Sequence, residues 1–129
     1  MQNYATQCHI SGRDLVLCGD MNVTRTDQDV HPKERKPNAI GQRPDERELY
    51  ERVLSEGGLI DIGRKLDPDN DSLFTWWPPW RQMRRKNIGW RLDYILASAS
   101  LADRIPECEV LAELGTSDHA PVVAELQLK

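Results

Sequence analysis

The stretch "DLVLCGDMNV", residues 14–23, is an apolar run that stops abruptly on an acid, a thioether and an amide. Its apolar character is continuous rather than alternating. That predicts a strand over residues 14–18 buried on both faces, with Cys18 as a small strand hydrophobe and Gly19 handing over to a loop. Asp20 and Asn22 then stand just past a strand end. There they serve either as turn formers or as the start of a site, because sheet ends combine a rigid backbone with open access. For G-D-x-N alone the two readings weigh equally.

A second strand is legible in "WRLDYIL" (90–96), where alternation sets Trp90, Leu92, Tyr94 and Leu96 against Arg91, Asp93 and Ile95. Asp93 is thereby a carboxylate in mid-strand, and taken singly it pairs most simply with Arg91 or another surface cation. "LFTWW" (73–77) reads as a strand, "LIDIGRKLDPDNDS" (59–72) as a short buried piece followed by a turn-rich loop, and "ECEVLAEL" and "APVVAELQL" as the last strands. In the last of these, Val122, Ala124, Leu126 and Leu128 face one way.

From Pro44 the pattern turns helical. Proline occupies the first turn, Asp45 and Glu46 sit where the helix dipole favours negative charge, and Leu49, Tyr50, Val53 and Leu54 share a face closed by Gly57 and Gly58. "SLADRI" approximates a capping box, with Ser100 and Asp103 heading a short helix. Between the first strand and the Pro44 helix, residues 24–43 show no hydrophobic period and carry Pro32, Pro37, Asn38 and Gly41. A loop of this length in a small domain is functional or disordered.

A length of 129 residues supports one domain, residues 1–129, of α/β (α+β) class. Three widely spaced cysteines form neither a disulfide framework nor a CxxC metal site. No apolar run approaches a membrane span and the polar start is no signal peptide, so a cytoplasmic location is expected. The net charge of −4 is unevenly spread: Arg81, Arg84, Arg85, Lys86 and Arg91 lie in a segment free of acids, and KERK occupies residues 33–36. A basic run with aromatic neighbours favours nucleic acid over a merely solvated face. Trp77 is assigned to the core, whereas Trp80, after Pro78-Pro79, is placed in a loop where it could wedge against DNA. His9 and His31, without ligand partners at metal spacing, are surface residues.

Polar residues thus interrupt apolar pattern at Asp20 and Asn22, at Asp93, and at Ser117-Asp118-His119. Two carboxylates, an amide and a carboxylate-held imidazole provide most of what phosphodiester hydrolysis needs: a group to orient water, donors to the phosphate, and stabilisation of the developing charge. Singly, Asp118-His119 is more simply a capped turn with a structural histidine.

In this order and spacing, "CGDMNV" (18–23), "NIGWRLDYIL" (87–96) and "GTSDHAPV" (115–122) resemble the exonuclease III and abasic-site endonuclease branch of the endonuclease/exonuclease/phosphatase superfamily. The resemblance runs from about Arg13 to the C-terminus. It implies the C-terminal half of a DNase I-like four-layer α/β sandwich, with a mixed, mostly antiparallel sheet and helices on one face. It also implies Mg²⁺-dependent (or Mn²⁺-dependent) cleavage of duplex DNA at or near abasic sites. Asp20 would orient or deprotonate water, Asn22 would bond the scissile phosphate, His119 held by Asp93 would stabilise charge, and Asp118 would lie at the metal.

Trp76, Trp90 and Leu92 align with a pocket for a base-free sugar. Lys36, Asn38 and Gly41 match one DNA-contacting loop, and Arg81, Arg84, Arg85 and Lys86 match another. Family members are about twice this length, and the other half would supply the main glutamate ligand. The ion is therefore expected to be weakly held, since Mg²⁺ on a single carboxylate keeps most of its water. One sheet face is expected to lack its cover, which points to a homodimer or a missing N-terminal half. Two alternatives remain: a noncatalytic remnant that binds DNA or protein, and a superfamily phosphodiesterase or phosphatase with another substrate.

Overall fold

Alternation of buried Tyr94 and Leu96 with half-buried Asp93 and Ile95 makes β3 (Asp93–Ser98) the central strand of a computed structural model describing residues 2–115 and 117–128. It pairs antiparallel with β1 (Val16–Asp20), Val16 opposite Ala97 and Asp20 opposite Asp93. On its other edge it pairs antiparallel with β2 (Leu59–Asp61), Leu59 opposite Ser98. A two-stranded ribbon, β4 (Cys108–Val110) with β5 (Val122–Ala124), completes the antiparallel framework. Isolated bridges Val30–Trp90, Trp90–Trp76 and Trp76–His119 stitch the loops between the two sheets.

Helices α1 (Gln2–Ile10) and α2 (Pro44–Gly57) pack on each other, and their Ala5, Tyr50, Val53 and Leu54 form one core with Leu59, Tyr94 and Leu96. Short α3 (Ile62–Leu66) and α4 (Ala99–Ala102) place Ile62 and Ala102 against Ala97 and Ile105 in a second core. A third gathers Phe74, Trp77 and Ala120. Among the described residues no helix is long and apolar enough to cross a membrane.

Several sequence expectations are corrected. β1 runs two residues later than residues 14–18 and is not buried on both faces: Leu17 is half-buried, whereas Val16 is 42% exposed and Cys18 is exposed as well. Both line an apolar groove of about 310 Å³ with Ile95, Ile105, Val122 and Leu126. A continuous apolar run therefore marks an open sheet face here rather than a doubly covered one. Asp93 begins its strand instead of standing mid-strand, and it does not pair with Arg91. Leu49 is 52% exposed and Leu128 is 71% exposed, both off the faces assigned to them. Residues 73–77 form no strand, only a bridge at Trp76.

Ser98, not Ser100, occupies the N-cap position of α4, without a side-chain capping bond: its hydroxyl bonds the Leu15 backbone, and Ser100 turns its own to Asp14. Helices α1 and α3 carry no clear apolar period, and both escaped the sequence reading.

The stretch 24–43 is ordered, with 3₁₀ turns at Asp27–Asp29 and Pro32–Glu34. Buried polar side chains hold it. Thr24 Oγ1 donates to the Gly41 carbonyl at 2.8 Å, and Gln42 bonds the backbone of Lys36 and Glu34. Asp29, 1% exposed, accepts from Arg91 at 2.8 Å and from Arg64. The same Arg91 guanidinium, over the Tyr94 ring, grips Asp61 at 2.7 and 2.8 Å. Burial alone would raise the Asp61 carboxyl and lower Arg91, but their mutual hydrogen bonds and charge reverse both directions. Asp61 between Ile60 and Ile62 was the sequence signal for this network: a carboxylate in an apolar run needs a buried cation.

Candidate active site

The β1–β3 register sets two carboxylates, Asp20 and Asp93, directly opposite each other. Like charges facing across a ladder repel, so a compensating group is required. The His119 ring lies against both, with Nδ1 2.8 Å from Asp93 and Nε2 3.8 Å from Asp20. An ionised carboxylate only accepts, so His119 Nδ1–H donates to Asp93 and Nε2 is directed toward Asp20 and solvent. The ligand atoms of Asp20, Asp93 and His119 all lie within 4.8 Å of one another.

Asn22 adopts a left-handed backbone, φ 53°, and its N–H donates to Asp20 Oδ1 at 2.7 Å. The turn reading holds for this pair: the turn aims Asp20 and leaves the Asn22 side chain exposed beside it. The exposed Asp118 accepts from the Trp76 indole at 3.0 Å. That bond, ahead of smaller contributions from nearby backbone and His119, holds its carboxyl below the usual carboxylate range. Among the described residues Asp118 is not part of the Asp20–Asp93–His119 group of possible ligands. Two carboxylates and an imidazole suit a single divalent ion, but Asp93 and His119 already engage each other. Asp20 is left as the open oxygen donor, which fits a hard ion that keeps most of its water.

Trp76 and Trp90 meet edge to face, with centroids 5.4 Å apart, and both are half-buried, while Leu92 is buried. Gly41 is buried against Trp90: a Cβ there would lie 3.1 Å from the ring. Its N–H and carbonyl bond Glu46 and Thr24. Gly41 therefore seats the tryptophan rather than contacting a ligand, which corrects its assignment to a DNA-contacting loop; Lys36 and Asn38 are exposed. Gly89 is similarly forced, since a Cβ would fall 2.6 Å from the Trp76 carbonyl.

Arg84 is also reassigned. Its guanidinium stacks over Trp77 at 4.5 Å and donates to the carbonyls of Ala112, Leu114 and Ser117, strapping down the loop that leads to His119. Arg81, Arg85 and Lys86 are exposed and form no ion pair among the described residues, and Trp80 beside them is 57% exposed. Trp77 is core, as expected.

The chain is thus an antiparallel α+β protein with a carboxylate–imidazole cluster where β1 and β3 meet the segment at His119. It belongs to the Endonuclease/Exonuclease/phosphatase family, whose model matches residues 2–119. It is 39% identical to the exodeoxyribonuclease of Bacillus subtilis (strain 168) over 111 residues, 85% of this chain and 43% of that protein. It is 38% identical to the DNA repair nuclease APEX1 of Danio rerio over 117 residues, 89% of this chain and 37% of the relative. Among solved structures, the 3'-5' exonuclease NExo of Neisseria meningitidis superposes with a TM-score of 0.88 at 30% identity, over 97% of this chain and 50% of that one. An AP endonuclease of Archaeoglobus fulgidus gives 0.86 at 30% identity, over 98% and 51%. The chain spans about half the length of the relatives it matches.

Proposed function

We propose that this chain carries part of the active site of a DNA-repair phosphodiesterase of exonuclease III or abasic-endonuclease type. The observation that carries this reading is His119 spanning Asp20 and Asp93. Asp20, exposed and aimed by its turn, orients or deprotonates water. Asn22 donates to the scissile phosphate. His119, oriented by Asp93, stabilises charge developing on phosphate oxygens. A divalent ion, Mg²⁺ or Mn²⁺, would be held by Asp20 with Asp118 at or near it, and supplies electrostatic stabilisation when bound. Trp76, Trp90 and Leu92 accept a base-free sugar, and Lys36, Asn38, Arg81, Arg85 and Lys86 contact the DNA backbone.

A second reading has its own support: no glutamate joins the cluster among the described residues, and the chain spans half of its relatives. On that reading the chain binds DNA without cutting it. On the same reading the open groove at Val16, Cys18 and Leu126 is covered by a second copy of the chain or by a protein partner. Light scattering at micromolar concentration decides self-association; a monomer rules out the second copy.

The deciding experiment incubates the chain with duplex DNA bearing one abasic site, with Mg²⁺ or EDTA, beside Asp20→Ala and His119→Ala. Metal-dependent nicking lost in both variants supports the enzyme. Binding without nicking supports the second reading.

A further inference from the structure

Thr75 lies at the junction of the two segments that carry the proposed site, and it is fully buried. Its hydroxyl oxygen accepts the N–H groups of Leu92 at 2.9 Å and of Asp93 at 3.1 Å. Its own carbonyl accepts the N–H of Ala120 at 2.8 Å, and its N–H donates to the Trp90 carbonyl at 2.9 Å. One residue therefore bonds the backbone of Asp93 on one side and the residue after His119 on the other. Among the described residues no backbone hydrogen bond joins β3 directly to the segment 117–124. Beside the packing of Ile95 on β5, the backbone hydrogen bonds that link the Asp93 and His119 segments run through residues 75–77, and the only side chain there that grips the Asp93 backbone is that of Thr75.

The sequence around Thr75 explains why it can do this. The N–H groups of both Thr75 and Trp76 point to the one Trp90 carbonyl, so regular strand pairing fails at this point. The start of β3 is left with N–H groups that need an acceptor, and Thr75 Oγ1 is that acceptor. A β-branched side chain has few χ1 states, so the oxygen is held in place by packing.

We propose that Thr75 is a positioning residue that sets the Asp93–His119 hydrogen bond. It touches no reacting atom and acts through the backbone on either side of the pair. The proposal rests on the site reading above, but its direct test requires no catalysis. In the wild-type chain the proton between His119 Nδ1 and Asp93 is expected to give a far-downfield NMR resonance, to be assigned by its absence in His119→Gln. Thr75→Val keeps the shape and removes the acceptor. The expected result is loss or a marked upfield shift of that resonance in a folded protein, with recovery in Thr75→Ser.

Thr24→Val serves as the control. Thr24 is equally buried and bonds Gly41 and Arg47, with no bond to the site. It should lower the melting temperature while leaving the resonance in place. Where the wild type nicks abasic DNA, Thr75→Val should cut the single-turnover rate at least about tenfold with DNA affinity changed less than about twofold. An unshifted resonance in Thr75→Val, its loss in Thr75→Ser or in Thr24→Val, or a Thr75→Val chain that does not fold would each overturn the positioning role. A wild-type chain that shows the resonance but does not nick overturns the enzymatic reading alone.

Discussion

Asp20 and Asp93 face each other across the β1–β3 ladder, and the His119 ring lies 2.8 Å from Asp93 and 3.8 Å from Asp20. Removing the ring exposes the repulsion. His119→Ala is expected to lose stability, and adding Asp20→Asn to that variant should restore about 0.2–1 kcal/mol, the usual range for a cross-strand pair. Urea unfolding of the four corners of the double-mutant cycle measures this. Nicking should stay abolished in the double variant, which separates the structural effect from the catalytic one.

Arg91 holds Asp29 and Asp61 in a buried network, so its removal leaves two carboxylates without their main cation. Arg91→Met should cost about 3–5 kcal/mol by chemical denaturation, more than loss of any exposed ion pair. The exposed Arg43–Asp45 pair serves as the comparison, and its removal should change stability little.

Stability should also fall in acid through Asp61. Its folded carboxyl is held below the ordinary value of about 3.8, so its contribution is fully present above that value. The contribution is lost as the pH drops from there through the lowered folded value. The stability gap between wild type and Asp61→Asn should therefore be constant above about pH 5 and shrink in more acidic solution. A gap that widens toward low pH would reverse the assignment.

Trp80 stands exposed next to Arg81 and Gln82, whose backbones are left-handed. Trp80→Ala should alter folding stability by no more than about 0.5 kcal/mol. It should weaken binding to abasic duplex by about 1–3 kcal/mol, the range for an aromatic ring stacked on a base. Fluorescence anisotropy with labelled duplex reads the second quantity, and unchanged affinity would remove Trp80 from the DNA-facing surface. Arg85→Ala should weaken binding and flatten its salt dependence, while Arg84→Ala should act first on stability, because Arg84 is spent on the carbonyls before His119.

The candidate residues were legible because they break apolar patterns and because their three motifs, in order and spacing, resemble one family; singly, none of them pointed more to a site than to a structural role. Asp20, Asp93 and His119 could be named before any coordinates, and the structure brings all three within 4.8 Å. Arg84 and Gly41 were misplaced because composition cannot distinguish a cation facing solvent from one donating to three carbonyls, or a loop glycine facing a ligand from one under an indole. Thr75 carried no usable signal for its connecting role, and Asp61 in its apolar run called for a buried cation without saying that it is Arg91. A threonine in "LFTWW" looks like any strand residue, and the partners of Arg91 lie 62 and 30 positions away in sequence.

Local pattern alone therefore determined the α2 helix, the approximate places of β1, β3, β4 and β5, and which acids and histidine are out of place in them, but not the irregular course of residues 73–77 or helices α1 and α3. Those are consequences of periodicity and of backbone preference, which act over a few residues. Only the tertiary structure decided which polar groups meet, that the first strand leaves one face open, and which cations are already paired. Register and burial are set by contacts between distant segments, and a hydrogen bond's partner is a matter of geometry to within tenths of an ångström.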